Sequence, residues 1–267
     1  MSGLLALTIR ELKKWYKQPI QLFMTLIQPV IWMGLFGKAF NLSSLAGAGG
    51  AGGSQMFMQL FGTSDYFSYM AVGIISMVVL FTTMFGGMSI VFDRRLGFLS
   101  KVLSTPVARS SIIFSKVFAA VVRCIVQVSI VLLAALALGL ALYFDFNPLM
   151  IFLPFAAAVL LAIGLSAMFL AIAVRSRRFE TQMAIANLLN LPLLFASNAL
   201  FPIALMPDWL QSFAKINPIT YATEAIRQSL LMNPDWSVLA GDFVYLGAFA
   251  ALFGAIGILL AWRYLSK

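Results

Sequence analysis

Few side chains in this sequence are equipped for bond-making chemistry. Histidine is absent and Cys124 is the single cysteine. A Ser/His/Asp set, a histidine metal cluster, a cysteine metal cage and an intramolecular disulfide are therefore all closed to the chain. No GxxxxGK[ST] occurs, since Gly37-Lys38 is followed by Ala39. What remains are polar residues at telling spacings. Glu224 and Arg227 stand three apart, beside Thr220 and Gln228, close enough to pair on one side of a helix. Arg123, with Gln127 one turn later, is a cation within an otherwise uncharged run; snorkelling or carbonyl contacts explain it more simply than transport chemistry. Asn187, Asn190, Ser197 and Asn198 crowd a second apolar run that also holds Phe195, either for interhelical hydrogen bonding or to line a substrate path. Met77, Phe81, Thr82, Thr83, Met84 and Phe85 form a soft aromatic surface, for packing or for a lipophilic ligand. None of these residues is assigned to catalysis, to a cofactor or to a metal.

The elements that position them are set by composition. Of 267 residues, 62% are hydrophobic and 10% charged, against roughly 25% charged in an average soluble domain. So few charges cannot cover a soluble surface, and the chain reads as an all-α polytopic membrane protein. Uncharged runs place six spans, at about 18–38, 66–92, 112–143, 147–174, 181–205 and 241–262. The run 39–64 is also uncharged. Five glycines between Gly47 and Gly53 make it a flexible loop instead. The first span follows a long charged stretch and reads as a retained anchor, not a signal peptide. Charge then orients the bundle. With the N-terminus inside, fourteen of the 18 Lys and Arg fall on the cytoplasmic side. They are Arg10, Lys13, Lys14, Lys17, Arg94, Arg95, Lys101, Arg109, Lys116, Arg175, Arg177, Arg178, Arg263 and Lys267. Lys38, Lys215 and Arg227 fall outside. This is a positive-inside pattern with both termini cytoplasmic. The net charge of +9 is thus a topology signal, and nucleic acid is not an expected partner.

Three attached segments matter. Residues 4–17 have helical spacing, with an apolar side from Leu4 to Leu12 and a basic side, ended by Gln18-Pro19. They suit a helix in the inner headgroup region, as a lipid anchor or a docking surface. Residues 93–104 form a short helix in the loop after span two. Asp93 suits its start and Thr105-Pro106 its end, and Leu96, Leu99 and Leu103 share an edge. That edge meets lipid or a groove on a cytosolic partner. Residues 206–232 read as two short helices, a hairpin dipping into the outer leaflet. Pro207 and Asp208 start the first, near Trp209. Asn217-Pro218 starts the second and Asn233-Pro234 ends it.

The central parts of the six spans hold no Asp or Glu, which disfavours an ion-coupled carrier. A pathway without an energy source, with cytosolic helices seeking a partner, points to a separate ATPase. Three stretches then carry a resemblance that covers nearly the whole chain. RELKKWYKQPIQLFMTLIQPVIWMGLFGKAF, FDRRLGFLSKVLSTPVARSSIIFSK and FPIALMPDWLQSFAKINPITYATEAIR resemble the entry, coupling loop and C-terminal signature of type-2 ABC export permeases. The daunorubicin-resistance (DrrB-like) and nodulation (NodJ-like) groups are the most similar. The last stretch is the most specific, through Phe201-Pro202, Pro207, Trp209, Asn217-Pro218, Thr220 and Arg227. The Gly-rich segment 46–53 departs from the family pattern. The resemblance implies a membrane subunit in the cytoplasmic (inner) membrane of a prokaryote, not itself an enzyme. Two such chains pair, as a homodimer or a heterodimer, and bind two copies of an ATPase that holds ATP and Mg. Contacts run through Asp93, Arg94, Arg95, Leu96, Gly97, Phe98, Leu99, Lys101 and Leu103, with help from 4–17 and 175–180. Spans two and five line the dimer axis. A lipophilic drug, antibiotic or lipid is the expected cargo. A lipid-linked polysaccharide, or a non-transport assembly role, is the alternative.

Overall fold

The computed structural model describes residues 3–35, 58–59, 61–63, 65–143, 148–176 and 178–265. The expected Gly-rich loop 46–53 and the end of the first span lie outside the described residues. Among the described residues the fold is helical throughout.

Helix α1 covers Gly3–Tyr16 and stops before Pro19, which becomes the first residue of α2, Pro19–Trp32. Helix α3 runs Tyr66–Arg95. The Asp65 carboxylate starts it by accepting from the backbone N–H of Phe67 at 3.2 Å and of Ser68 at 3.1 Å. Gly97, at φ +70°, ends α3 and turns the chain into α4, Phe98–Leu103. Helix α5 spans Arg109–Ala137 and α6 Phe152–Arg175, the latter entered through a 3-10 turn, Pro148–Ile151. Helix α7 covers Phe179–Phe195, α8 Asp208–Ala214, α9 Pro218–Leu231 and α10 Trp236–Leu265. Asp235 opens α10 by accepting from Ser237 Oγ at 2.7 Å and Ser237 N at 2.9 Å, which hold its carboxyl below the usual range.

Four helices are long and apolar enough to cross a membrane: Tyr66–Arg95, Arg109–Ala137, Phe152–Arg175 and Trp236–Tyr264. At ~1.5 Å per residue the 30 residues of α3 reach about 45 Å, more than the ~30 Å of a hydrocarbon layer. The helices in the first and fifth expected spans are shorter, α2 with 14 residues and α7 with 17. Helix α7 ends ten residues before its expected limit. Pro192 lies near its end, and Ala196 leaves helical geometry at ψ 49°. The third span is also shorter than expected, because Gly139 turns the chain at φ +102°.

Helix α6 is the hub, packed against α3, α5, α9 and α10. Glycines set the closest approaches. A Cβ on Gly87 would lie 2.6 Å from Phe169 Cβ, and one on Gly73 only 1.7 Å from the Ala199 carbonyl oxygen. In the most apolar window of α3, 89% of residues are buried, against 17% in α10. Helix α3 is therefore enclosed by protein, while α10 turns Val244, Leu252 and Leu259 outward, as a lipid-facing helix does. The main core, including Tyr69, Ile75, Leu80, Leu165, Phe169 and Ile226, fills the middle and the hairpin end. A smaller core fills the α4 end, where Leu99 and Val102 pack with Ile90, Ile113, Leu170 and Val174.

Two local expectations are corrected. Asp93 does not start the coupling helix but lies in the last turn of α3. Leu96, Leu99 and Leu103 do not share an edge either: Leu96 is 74% exposed, Leu99 is 5% exposed and Leu103 is partly exposed. The reason is Gly97, whose left-handed backbone separates Leu96 from the helix that carries the other two.

Candidate functional site

At the α4 end, three helices, α1, α3 and α5, are joined by a buried ionic cluster. Asp93 of α3 accepts from Lys116 Nζ of α5 at 2.5 Å and from Arg10 Nη2 of α1 at 3.1 Å. Lys116 also donates to Glu11 at 3.1 Å and to Ser89 Oγ at 2.9 Å. Arg10 reaches Glu11 as well, at 3.0 Å. The side chains of Lys116, Asp93 and Glu11 are each no more than 4% exposed. Such groups are tolerated only because each charge meets an opposite one. The next residue, Arg94, donates to the carbonyls of Ser176 and Val174, both at 2.8 Å, at the C-terminal end of α6. Those carbonyls lack helical partners, so Arg94 caps α6 while tying it to α3.

Helix α4 is seated on this frame. The Arg10 guanidinium carbon lies 3.3 Å from the Phe98 ring centroid, a cation–π contact between α1 and α4. Leu99 and Val102 face inward. Arg95, Leu96, Ser100, Lys101, Leu103 and Ser104 face outward. The expected coupling residues thus divide into an internal set (Asp93, Arg94, Phe98, Leu99) and an outward set (Arg95, Leu96, Lys101, Leu103), joined at Gly97. The outward set is a small, basic, apolar-tipped surface.

The hairpin end holds a second polar cluster. Arg227 is 3% exposed and stacks 3.9 Å from the Tyr69 ring centroid. It donates to Glu224 at 3.2 Å and to the Asn198 carbonyl at 3.0 Å. Tyr69 donates to that same carbonyl at 2.9 Å, and Asn198 Nδ2 to Glu224 at 2.9 Å. Asn217 caps α9 at Ile219 N and donates to the carbonyls of Leu193 and Ala196 at 2.7 and 2.6 Å, where α7 breaks off. Pro218 follows it at the first helical position. Tyr69, Asn198, Glu224 and Arg227 border a cavity of about 290 Å³. Trp209 lies apart on α8, 66% exposed. Glu224 and Arg227 pair as their spacing implies, but Arg227 is buried rather than turned to water.

Midway, Thr82 donates to Gln127, and Gln127 donates to Thr25 Oγ1 at 2.9 Å, linking α3, α5 and α2. Met77, Phe81, Thr82 and Phe85 border a cavity of about 150 Å³ with Pro29. The candidate residues of α7 do not join them: Asn187 and Phe195 are exposed and Asn190 is buried. Phe85 instead meets α7 through Phe179 and Met183, around a larger cavity. Sequence reasoning missed Glu11, Ser89 and Tyr69 and counted Lys116 only as a cytoplasmic-side charge. Glu11 carried one signal, as the only acid in a basic helix.

Among the described residues the chain is thus a helical bundle with α4 clamped at one end and the α8–α9 hairpin at the other. The model of the ABC-2 type transporter family matches residues 2–231. The chain belongs to that family. It is 32% identical over 239 residues to a putative transport permease, ycf38, of Porphyra purpurea, covering 87% of this chain and 75% of the relative. It is 23% identical over 240 residues to a probable doxorubicin resistance ABC transporter permease of Mycobacterium tuberculosis, covering 89% and 80%. It is 25% identical over 212 residues to a daunorubicin resistance ABC transporter permease of Streptomyces coeruleorubidus, covering 79% and 68%. The ABC-2 match includes α1, α4 and the hairpin, and it ends at the last residue of α9. The chain is thus a multi-pass ABC-2 membrane protein of the transport permease type.

Proposed function

We propose that this ABC-2 permease is the membrane subunit of an ATP-driven exporter. The observation that carries the proposal is the outward surface of α4, mounted on a buried ionic clamp that joins α1, α3 and α5. A docking protein pressing on α4 acts on three helices through one cluster. In this reading α4 faces the cytosol, both termini are cytoplasmic, and α2 and α7 complete six crossings of a prokaryotic cytoplasmic membrane. Two chains pair, and each binds one copy of a separate ATPase, which holds ATP and Mg. Closure of the ATPase pair pushes α4, and α3 with α7 opens a path that ends beside the 206–232 hairpin. Residues 4–17, 93–104 and 175–180 supply the cytosolic contacts. The cargo is lipophilic: a drug, antibiotic or lipid-like molecule. The doxorubicin and daunorubicin resistance named for two relatives supports that class.

The test is co-purification and ATPase stimulation in reconstituted complexes carrying Leu96→Asp and Leu103→Asp. Both residues are exposed, so the folded permease is expected to persist while ATPase binding and coupled transport fall. A permease that never captures an ATPase and transports on an ion gradient alone sinks the proposal. Stimulation by glycolipids but not by hydrophobic amphiphiles moves the cargo to lipid-linked polysaccharide.

A further inference from the structure

A cavity beside the ionic clamp reaches from Leu96 of the outward surface inward to Arg123. It measures about 460 Å³ and lies where α1, α3, α5 and α7 meet. That volume falls within the ordinary range for small-molecule sites. Its walls are mostly apolar: Trp15, Phe85, Met88, Phe92, Phe179 and Met183. Its polar lining is Glu11, Lys14, Gln18, Ser89 and Arg123.

Arg123 stands out in that lining. It is 9% exposed. Its Nε donates to the Ala119 carbonyl at 3.1 Å, and its Nη2 is buried without a hydrogen-bond partner among the described residues. A buried guanidinium without a counter-charge is costly, so the site is short of an anion. The one acidic neighbour of Arg123 in that lining, Glu11, acts on it but is shared. Glu11 is already bound by Arg10 and Lys116, and Ser89 already accepts from Lys116. Lys14 adds a second cation at the rim, 3.9 Å from Asp93 and 35% exposed.

We propose that this cavity holds the acidic head, a phosphate or carboxylate, of an amphiphile whose apolar part lies against Phe85, Met88 and Met183, with Arg123 as the anchor. Guanidinium suits both head groups, because its parallel N–H donors match two acceptor oxygens. Methionine and phenylalanine walls accept acyl or polycyclic tails of varied shape. The binding claim stands apart from the export reading. Only the further step of calling the amphiphile cargo rests on that reading.

Native mass spectrometry of the purified chain tests it, with dioleoyl phosphatidic acid, dioleoyl phosphatidylcholine and dioleoylglycerol as probes. The expected result is retention of phosphatidic acid at least about tenfold tighter than the other two, as one charge-assisted contact supplies. Arg123→Gln should abolish that preference, and Arg123→Lys should restore much of it. Met183→Trp, which fills the cavity, should weaken retention of phosphatidic acid. Equal retention of the three probes by the wild type overturns the proposal. So does undiminished phosphatidic acid binding in folded Arg123→Gln or in folded Met183→Trp, which serves should Arg123→Gln not fold. With the ATPase added, release of bound phosphatidic acid on ATP turnover marks it as cargo, and retention marks a resident lipid; the anchor role of Arg123 stands in both. Failure of any ATPase to couple sinks the export reading and leaves the binding result intact.

Discussion

Lys116→Met is the most informative single change at the α4 end. It keeps the apolar stem and removes the ammonium that serves Asp93 at 2.5 Å, Glu11 at 3.1 Å and Ser89 at 2.9 Å. Two nearly inaccessible carboxylates then share the Arg10 guanidinium, with only the partly exposed Lys14 at 3.9 Å from Asp93 to help. Deleting one member of a buried pair costs about 3–5 kcal/mol, mostly from the charge left uncompensated. Arg10 still reaches Glu11 and Asp93, at 3.0 and 3.1 Å, so the loss should sit near the lower end, about 3 kcal/mol. For a chain of this size, ~2–4 °C of melting temperature per kcal/mol gives a fall of about 6–12 °C. The chain carries its own probe. Cys124 is the only cysteine and is fully buried, so a thiol-reactive fluorophore reports opening during a thermal ramp. Adding Asp93→Asn to Lys116→Met leaves the Arg10–Glu11 pair and should recover more than half of the loss. A single variant that melts with the wild type, or a double variant no better than the single, would refute the clamp.

Three further outcomes follow from the packing. Gly73→Ala places a Cβ 1.7 Å from the Ala199 carbonyl oxygen, a backbone atom with little room to yield. It should destabilise by at least about 1–3 kcal/mol in the same thermal assay. Leu99→Asp puts a carboxylate into the small core, where Leu99 is 5% exposed. It should lower stability before it touches partner binding, whereas Leu96→Asp, on the outward surface, should leave the melting temperature within about 2 °C of wild type. Asn217→Ala removes an N-cap and frees the Leu193 and Ala196 carbonyls. The expected loss is about 2 kcal/mol or more, read as a lower melting temperature.

The long helices were legible because a charge-free run of some twenty residues has few other uses. Where a run was interrupted, the sequence misled. The run 181–205 is uncharged, yet α7 stops at Phe195. Its last carbonyls are taken by Asn217, a residue about twenty positions further along, and composition does not record such a partnership. Pro192 was the one local warning. The Glu224–Arg227 pair was visible from its spacing, but Arg227's burial was not, since Tyr69 comes from α3 and Asn198 from the turn after α7. The clamp was illegible for the same reason: Lys116 counted as one more cytoplasmic-side cation until Asp93 and Glu11 were seen beside it. Local patterns report who is near along the chain, and buried charge is governed by who is near across it.

The last turn of α3 has a mechanical consequence. Consecutive helical residues point about 100° apart around the axis. Asp93 holds α1 and α5, while Arg94 holds the end of α6. A rod gripped at two azimuths resists torque, because spinning it breaks one grip before it loosens the other. In the proposed export cycle, force delivered through α4 would therefore pass along α3 as a push or a tilt, with α3, α5 and α6 travelling together at that end rather than twisting past one another.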